Sequence, residues 1–428
     1  NFFLFLWRVE DFTPSLFQSN FYRNLANKLT QLEFYSSLFV NLYENLKDTF
    51  SKKDFYTNLV IGVTVTLLLI YFHNHPLLRN IEDEDMDLAM KFRQEFFQQD
   101  GKHKIRSDNE RDAKEIPGFV FLDIDNRTYE EWGQKPFTPR KELEDLIDFS
   151  VNSGAKLVIV DVDLNHPLTV EKESQEDTNL RIYLKEYIKR CNPTTDKNSP
   201  NCPPIILVRT FHPLEESSET EATADVDIKP HEPNSSFLDG VVHDKSFPVV
   251  WASAQFFSSH NIIRQRWLWQ PTCVDKKAGV IPSVELLAAT MSCHNTPKTG
   301  YDDVLKQLDK NVKPDSCDAR YKPTKHSIYV CGEKNKKMEV SGGIDGIQQR
   351  IMYSVNWSPS QISDSLVKDY IGDIFTAYSA AQFLKKVPDI DKELFKDKIV
   401  VIGGSYEVGG DMSETPIGQM PGAVIIPY

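Results

Sequence analysis

At 428 residues the chain exceeds an average domain, so one enlarged α/β domain or two smaller ones are both allowed. Its 40% hydrophobic, 26% charged and 11% aromatic residues suffice for a sizeable core. A formal charge of -13 and a pI near 5.3 exclude a surface built to neutralise phosphates, so no nucleic-acid partner is expected.

Residues 1–54 carry Leu, Phe and Tyr at mixed helical spacing, as in LANKLTQLEFYSSLFVNLYENL, with few Gly or Pro interruptions. They read as a cytoplasmic amphipathic helical segment. Its aromatic face, with Phe34, Tyr35, Phe39 and Tyr43, lies on membrane lipid, packs on a partner subunit or packs on itself. Phe55 to Phe72 then reads FYTNLVIGVTVTLLLIYF, eighteen residues without a charge. As a helix this run is about 27 Å long, close to the hydrocarbon thickness of a bilayer. A transmembrane helix over 55–73 is expected, with Lys52 and Lys53 marking the cytoplasmic side and aromatic residues at both ends. A cleavable signal peptide fits less well, since a long patterned segment precedes the span and no small-residue cleavage site follows it.

The six cysteines, Cys191, Cys202, Cys273, Cys293, Cys317 and Cys331, all follow the span. That asymmetry points to an oxidising compartment and makes all six disulfide candidates. Cys191 with Cys202, across a loop rich in Pro, Asn and Ser, is the easiest local closure.

After the span, RNIEDEDMDLAMKFRQEFF reads as a helix and residues 100–115 as a charged linker. GFVFLDID and KLVIVDVDL are short β-branched runs ending in acids, separated by the helical PRKELEDLIDFSVNSGA. That is a strand, helix, strand unit of the parallel kind. PIILVRTF adds a strand, VVWASAQFF a strand or short helix, and IPSVELLAATM a helix opened by Pro282 and Ser283. RIMYSVNW reads as a strand and KIVVIGGS as a buried strand entering a glycine turn. Polar insertions at about 171–204, 213–236 and 293–346 read as long loops. The expected fold is α/β, a mainly parallel sheet with flanking helices and long loop insertions. It stands on an N-terminal transmembrane helix preceded by the helical segment.

The order and wording of these elements resemble the second class of CHASE sensory domain over most of Arg79 to Tyr428. IEDEDMDLAMKFR is similar to the family's leading helix, with Glu82, Asp87, Leu88 and Arg93 at its polar and apolar places. FVFLDIDNRTYEEWG and FTPR resemble its first strand and later Pro-Arg, here Asp123, Asp125, Pro139 and Arg140; GAKLVIVDVDL resembles the next strand, with Asp161. The C-terminal KDKIVVIGGSYEVGGDMSETPIGQMPGAVI carries the most specific likeness, through Lys398, Gly403, Asp411, Thr415, Pro416, Pro421 and Gly422. SSHNIIRQR departs from the family's Asp-Gly-x-x-Arg, keeping Arg264 without the Asp-Gly, and the cysteine-bearing insertions exceed the family pattern. The resemblance implies an extracytoplasmic α/β sensory domain, here 74–428, followed by further transmembrane helices and an output domain; within this chain a single pass through a bacterial inner membrane is expected. Because the chain opens on Asn1 and closes on Tyr428 after an apolar run, both ends read as incomplete, and a cytoplasmic output domain is expected beyond.

Asp123, Asp125, Asp161, Asp163 and Asp411 are expected near the C-terminal ends of strands in one sheet, the edge where open α/β sheets hold ligands. There they bind a divalent cation or small polar ligand through oxygen, or cap helices and tie turns. Arg264, near Trp251, Trp267 and Trp269, either clamps an anion against aromatics or makes an ordinary surface pair. VFLDIDNRT imitates the Asp-x-Asp-x-Thr of a phosphatase, yet no later lysine and acidic pair completes it, so no enzyme activity is expected. VVIGGSYEVGG lacks the residues of a phosphate loop, and no His or Cys spacing marks a metal site, so no cofactor is expected. Two functions stand ahead of a third, a hydrolase. One is a sensory domain whose ligand state shifts a membrane helix; the other is a structural or assembly subunit of an envelope complex, bound to other subunits or to itself.

Overall fold

The computed structural model describes residues 52–71, 83–92, 118–168, 173–191, 202–211, 230–243, 246–259, 261–294, 296–317, 326–330, 338–342, 348–353, 357, 375–384 and 392–427. Most of the expected 1–54 segment, with Phe34, Tyr35, Phe39 and Tyr43, and the cysteine at 331 lie outside these residues. The chain divides into two compact units, Asn1–Arg79 and Asn80–Tyr428.

The first unit holds helix α1 (Lys52–Tyr71), 20 residues long. From Thr57 to Leu67 every side chain is exposed, including Leu59, Val60, Ile61, Val63 and Val65. Among the described residues no helix is long and apolar enough to cross a membrane. The transmembrane reading of 55–73 therefore rests on the sequence.

The second unit is built on six parallel strands: β1 (Phe119–Ile124), β2 (Leu157–Asp161), β3 (Ile205–Arg209), β4 (Val249–Ser253), β12 (Phe375–Ser379) and β13 (Ile399–Gly404). Their order is β12-β1-β13-β2-β3-β4. The sheet is covered on both faces, which is why its strands read as unbroken apolar runs. Val120 and Leu122, Val158 and Val160, and Val400 and Ile402 face one layer. There they meet Leu143, Leu146 and Ile147 of α4 (Arg140–Asn152) and Leu180 and Leu184 of α5 (Gln175–Cys191). The alternate residues Phe121, Ile159 and Val401 face α6 (Val284–Cys293) and α7 (Pro297–Asn311).

A second sheet runs β11 (Gln348–Arg350), β6 (Ile262–Trp267), β14 (Met412–Thr415), β15 (Gly418–Pro421), with β5 (Phe256–Ser259) also on β6. Helix α2 (83–92) packs on it through Met86 and Met90, against Ile263, Ile351, Tyr353, Ile417 and Met420. Two hairpins, β7 (Trp269–Val274) with β8 (Lys277–Pro282) and β9 (His326–Val330) with β10 (Met338–Gly342), complete the strands described. The short helices are α3 (Asn126–Glu131), α8 (Ala381–Leu384) and α9 (Gly422–Ile425).

The mainly parallel α/β sheet is as expected. VVWASAQFF divides into β4 and the start of β5, one in each sheet. RIMYSVNW does not run on as a strand: regular pairing stops at Arg350, although Ile351 N still donates to the Arg264 carbonyl at 2.8 Å. Its apolar alternation is real, since Ile351 and Tyr353 are buried, but their partner is the small core under α2. The stretches read as loops at 171–204 and 293–346 contain α5, α7, β9 and β10. In α5 the buried stripe of Leu180, Leu184, Tyr187 and Cys191 is masked by charged residues on the outer face. Cys191 pairs with Cys202 and Cys273 with Cys317, and Cys293 is also disulfide-bonded. These bonds fit an oxidising compartment.

Candidate functional site

Parallel pairing sets Asp123 of β1 beside Gly403 of β13, and Gly403 beside Asp161 of β2. All three stand in one row at the C-terminal edge of the central sheet, with Ser379 of β12 next to Asp123. The row needs a glycine: a Cβ on Gly403 would strike the Cβ of Ala423 and lie 3.5 Å from that of Asp161. Asp123 is fully buried, and its Oδ2 accepts from Ser405 Oγ at 2.7 Å. Burial pushes its carboxyl well above the usual range, against the Ser405 hydrogen bonds and helped by the nearby Asp125. Among the described residues its Oδ1 finds no partner.

Asp161, Asp411 and Glu285 form a carboxylate cluster beyond that row. Asp161 is raised to about 8, by burial first and then by the charges of Asp411 and Glu285. Asp411 is raised to about 6 by burial, opposed by the backbone N–H groups of Gly422 and Ala423 that bond to it. It sits at the rim and keeps solvent contact. A Cβ at Gly422 would come within 2.7 Å of its Oδ1, so glycine there lets the carboxylate meet the backbone. Glu285 stands in the first turn of α6, which Ser283 caps by accepting from Leu286 N at 3.1 Å. Burial raises it too, against Arg266, whose Nη1 lies 3.6 Å from Oε1. The charges of Asp411 and Glu285 add to the burial of Asp161, which therefore keeps its proton at neutral pH. Among the described residues no group of three His, Cys, Asp or Glu is arranged to hold a metal ion.

The other candidates are engaged elsewhere. Asp125 caps α3, its Oδ1 accepting from Thr128 N at 2.8 Å and Thr128 Oγ1 at 2.6 Å. Asp163 is exposed and ties a turn, accepting from the backbone and side-chain nitrogens of Asn165. Asp411 precedes β14 and so belongs to the second sheet, yet it reaches the edge of the first. Arg264 donates to Asp87 of α2 and is buried in that pair. The guanidinium that does lie over an aromatic in this region is that of Arg209, 4.7 Å from the Trp251 ring.

Sequence reasoning passed over Glu285, Arg266, Arg350, Asp83 and Asp177. Asp177 holds the fully buried Arg140, its Oδ1 3.3 Å from Nε, while its Oδ2 accepts from Ser174 and Leu168. Glu285 carried one local signal, an acid in the first turn behind a Ser cap, which reads equally as helix capping. The other pairings span long stretches of sequence and leave no local pattern.

A family model for the CHASE2 domain matches residues 62–426, most of the chain. No curated protein and no solved structure matches. The leading helix, the parallel sheet, the acidic strand ends and the closing Pro-Gly fall together within that match, and the chain belongs to the CHASE2 domain family, a family of sensory domains.

Proposed function

We propose that this chain is the extracytoplasmic, signal-receiving part of a bacterial transmembrane protein. In this reading α1 is the single transmembrane helix within the chain, residues 1–54 are cytoplasmic, and the chain itself performs no catalysis. The observation that carries the reading is the placement of two arginines on β6. Arg266 faces Glu285 of the carboxylate cluster, and Arg264, two residues earlier, holds Asp87 of α2, the helix that follows α1 in sequence. Residues two apart on a strand share a face, so one strand touches both the ligand edge of the sheet and the membrane-proximal helix. A receptor requires such an element, biased by both sites.

Coupling is tested on the full chain in membranes by hydrogen exchange. Asp161→Asn, which leaves α2 untouched, is expected to change the protection of residues 83–92. Unchanged protection would favour the scaffold role in an envelope complex, with other subunits or a second copy as the partner. The topology is tested with a membrane-impermeant maleimide after reduction: Cys273 and Cys317 should label while the inner membrane is intact. Labelling that requires its rupture would overturn the placement.

A further inference from the structure

Arg266 and Glu285 face each other without closing. Their side chains are 9% and 12% exposed, and Nη1 stands 3.6 Å from Oε1, beyond the reach of a hydrogen bond. Among the described residues neither Glu285 Oε1 nor Arg266 Nε finds a hydrogen-bond partner. A buried guanidinium with a donor to spare, aimed at a carboxylate it does not reach, is a cost to the fold. It is also slack that a change of charge beside it can take up.

The group whose charge changes is Asp161. Two charged groups act on it, Asp411 from the segment before β14 and Glu285 from α6. The neighbouring strand β13 presents only Gly403 at this level, and α9 gives the backbone N–H groups of Gly422 and Ala423 to Asp411. Tyr406, after β13, stands near Asp411, and Arg209, at the end of β3, is taken by Asp239. Arg266 is the cation that faces the cluster. Asp161 is partly exposed and Asp411 lies at the rim, so protons reach both from solvent. With Asp161 raised to about 8 and Asp411 to about 6, the cluster gains negative charge across that range of pH.

We infer that the signal this domain receives is the proton, bound and released by Asp161 and Asp411 and passed through β6 to α2. The inference rests on the signal-receiving role and names the ligand of that role. While Asp161 is protonated, Arg266 stays at its distance. When the proton leaves, the added negative charge draws the guanidinium in, and Arg266 carries β6 with it. Arg264, two residues earlier on that strand, holds Asp87 of α2. Asp411 acts on the same strand by a second route, since it leads into β14, whose Glu414 pairs with Ile262 of β6. Once both are ionised, Asp161 and Asp411 repel each other and push along that route. Loss of the protons therefore loosens the hold of β6 on α2.

Hydrogen exchange of the full chain in membranes is followed from acid to mildly alkaline buffer, with protection corrected for the intrinsic pH dependence of exchange. Protection of residues 83–92 should fall several-fold as pH rises, chiefly near 8, while α4, on the face of the sheet opposite α6, should change less. Asp161→Asn, which has no proton to lose, should remove the step near 8. If that variant fails to fold, Asp411→Asn at the rim serves: without the Asp411 charge the step should move to lower pH. A wild type without a step, a step that survives Asp161→Asn or stays in place in Asp411→Asn, or an equal fall in α4 would overturn the inference. The signal-receiving role is judged separately, by comparing Asp161→Asn with wild type at one pH. A difference at residues 83–92 without a pH step in wild type keeps the role and removes the proton as its signal; no difference at any pH removes both.

Discussion

Arg264 donates from Nε and Nη2 to one carboxylate oxygen of Asp87, at 2.9 and 2.8 Å, across 177 residues of sequence. Arg350 donates to the other oxygen at 3.1 Å and also pairs with Asp83. The Arg264 and Asp87 side chains are 7% and 11% exposed, so the pair is largely withdrawn from water. Breaking a buried ion pair by removing one partner costs about 3 kcal/mol. Asp87→Ala should therefore lower the unfolding free energy by about that amount and make residues 83–92 an early proteolytic target. Arg264→Lys should recover little, because an ammonium cannot reproduce the guanidinium fork. Denaturant titration with limited proteolysis checks both, and a wild-type midpoint in Asp87→Ala would show that α2 is held by Met86 and Met90 instead.

The carboxylate cluster gives stability an unusual dependence on pH. Asp161 at about 8 and Asp411 at about 6 keep protons that the unfolded chain, with carboxyls near 3.8, has already released. The folded state then binds more protons than the unfolded state, so stability falls as pH rises. The loss runs from near 3.8 to about 6 for Asp411 and on to about 8 for Asp161. Asp411 meets solvent, so its share is the smaller. The melting temperature should drop between acid and mildly alkaline buffer, and Asp161→Asn should flatten the slope. A variant that follows wild type at every pH would mean that the cluster is already relaxed by water.

The parallel sheet was legible because its strands are buried on both faces and therefore spell continuous apolar runs, as in FVFLDI and IVVIGG. Capping was legible where it is local, as at Ser283. Helix α5 was not, since charged residues interrupt the stripe formed by Leu180, Leu184 and Tyr187. The strand end carrying Asp161 was visible and Asp411 was expected at the same edge, but Glu285 arrives from α6 without a pattern that links it to them. Arg264 was singled out for its aromatic surroundings and Asp87 for its place in a helix. Only the folded chain joins them, because a pairing between distant segments leaves no periodicity in either.

The two mapped disulfides close loops of different length, 11 residues for Cys191 and Cys202 and 44 for Cys273 and Cys317. Loop-closure entropy assigns them about 3 and about 4 kcal/mol respectively. Replacing Cys273 and Cys317 together with Ser should thus destabilise more than replacing Cys191 and Cys202. The first bond also joins the end of α5 to the start of β3, next to Tyr187, whose Oη donates to the Pro203 carbonyl at 2.6 Å. That hydrogen bond keeps the local geometry in the double Ser variant. Urea midpoints in the reverse order would show that the denatured chain retains structure around the longer loop.

Asp123 resembles the first aspartate of a phosphatase in sequence only. It is buried, which pushes its carboxyl well above the usual range, and Asp125 is spent on the Thr128 cap. No magnesium-dependent phosphatase turnover is expected from the chain. Asp123→Asn mimics the protonated acid and should keep the wild-type melting temperature. Turnover abolished by that substitution would reverse the assignment of this edge as non-catalytic.

Gly403 lies between Asp123 and Asp161, where its missing side chain makes room for α9. A methyl group there meets the Ala423 Cβ, and Ala423 cannot simply withdraw, since its N–H bonds to Asp411. Gly403→Ala should cost about 1–3 kcal/mol by overpacking. Ala423→Gly should cost about 1 kcal/mol through backbone freedom in α9. If the collision is the cause, the double variant recovers part of the first loss, because removing the Ala423 methyl reopens the space. A double-mutant cycle on unfolding free energies reads this directly, as a double variant less destabilised than the sum of the two singles. Additive costs would mean that α9 shifts to accept the methyl. In that case Asp411 would move with it, and the pH slope of Gly403→Ala would differ from wild type.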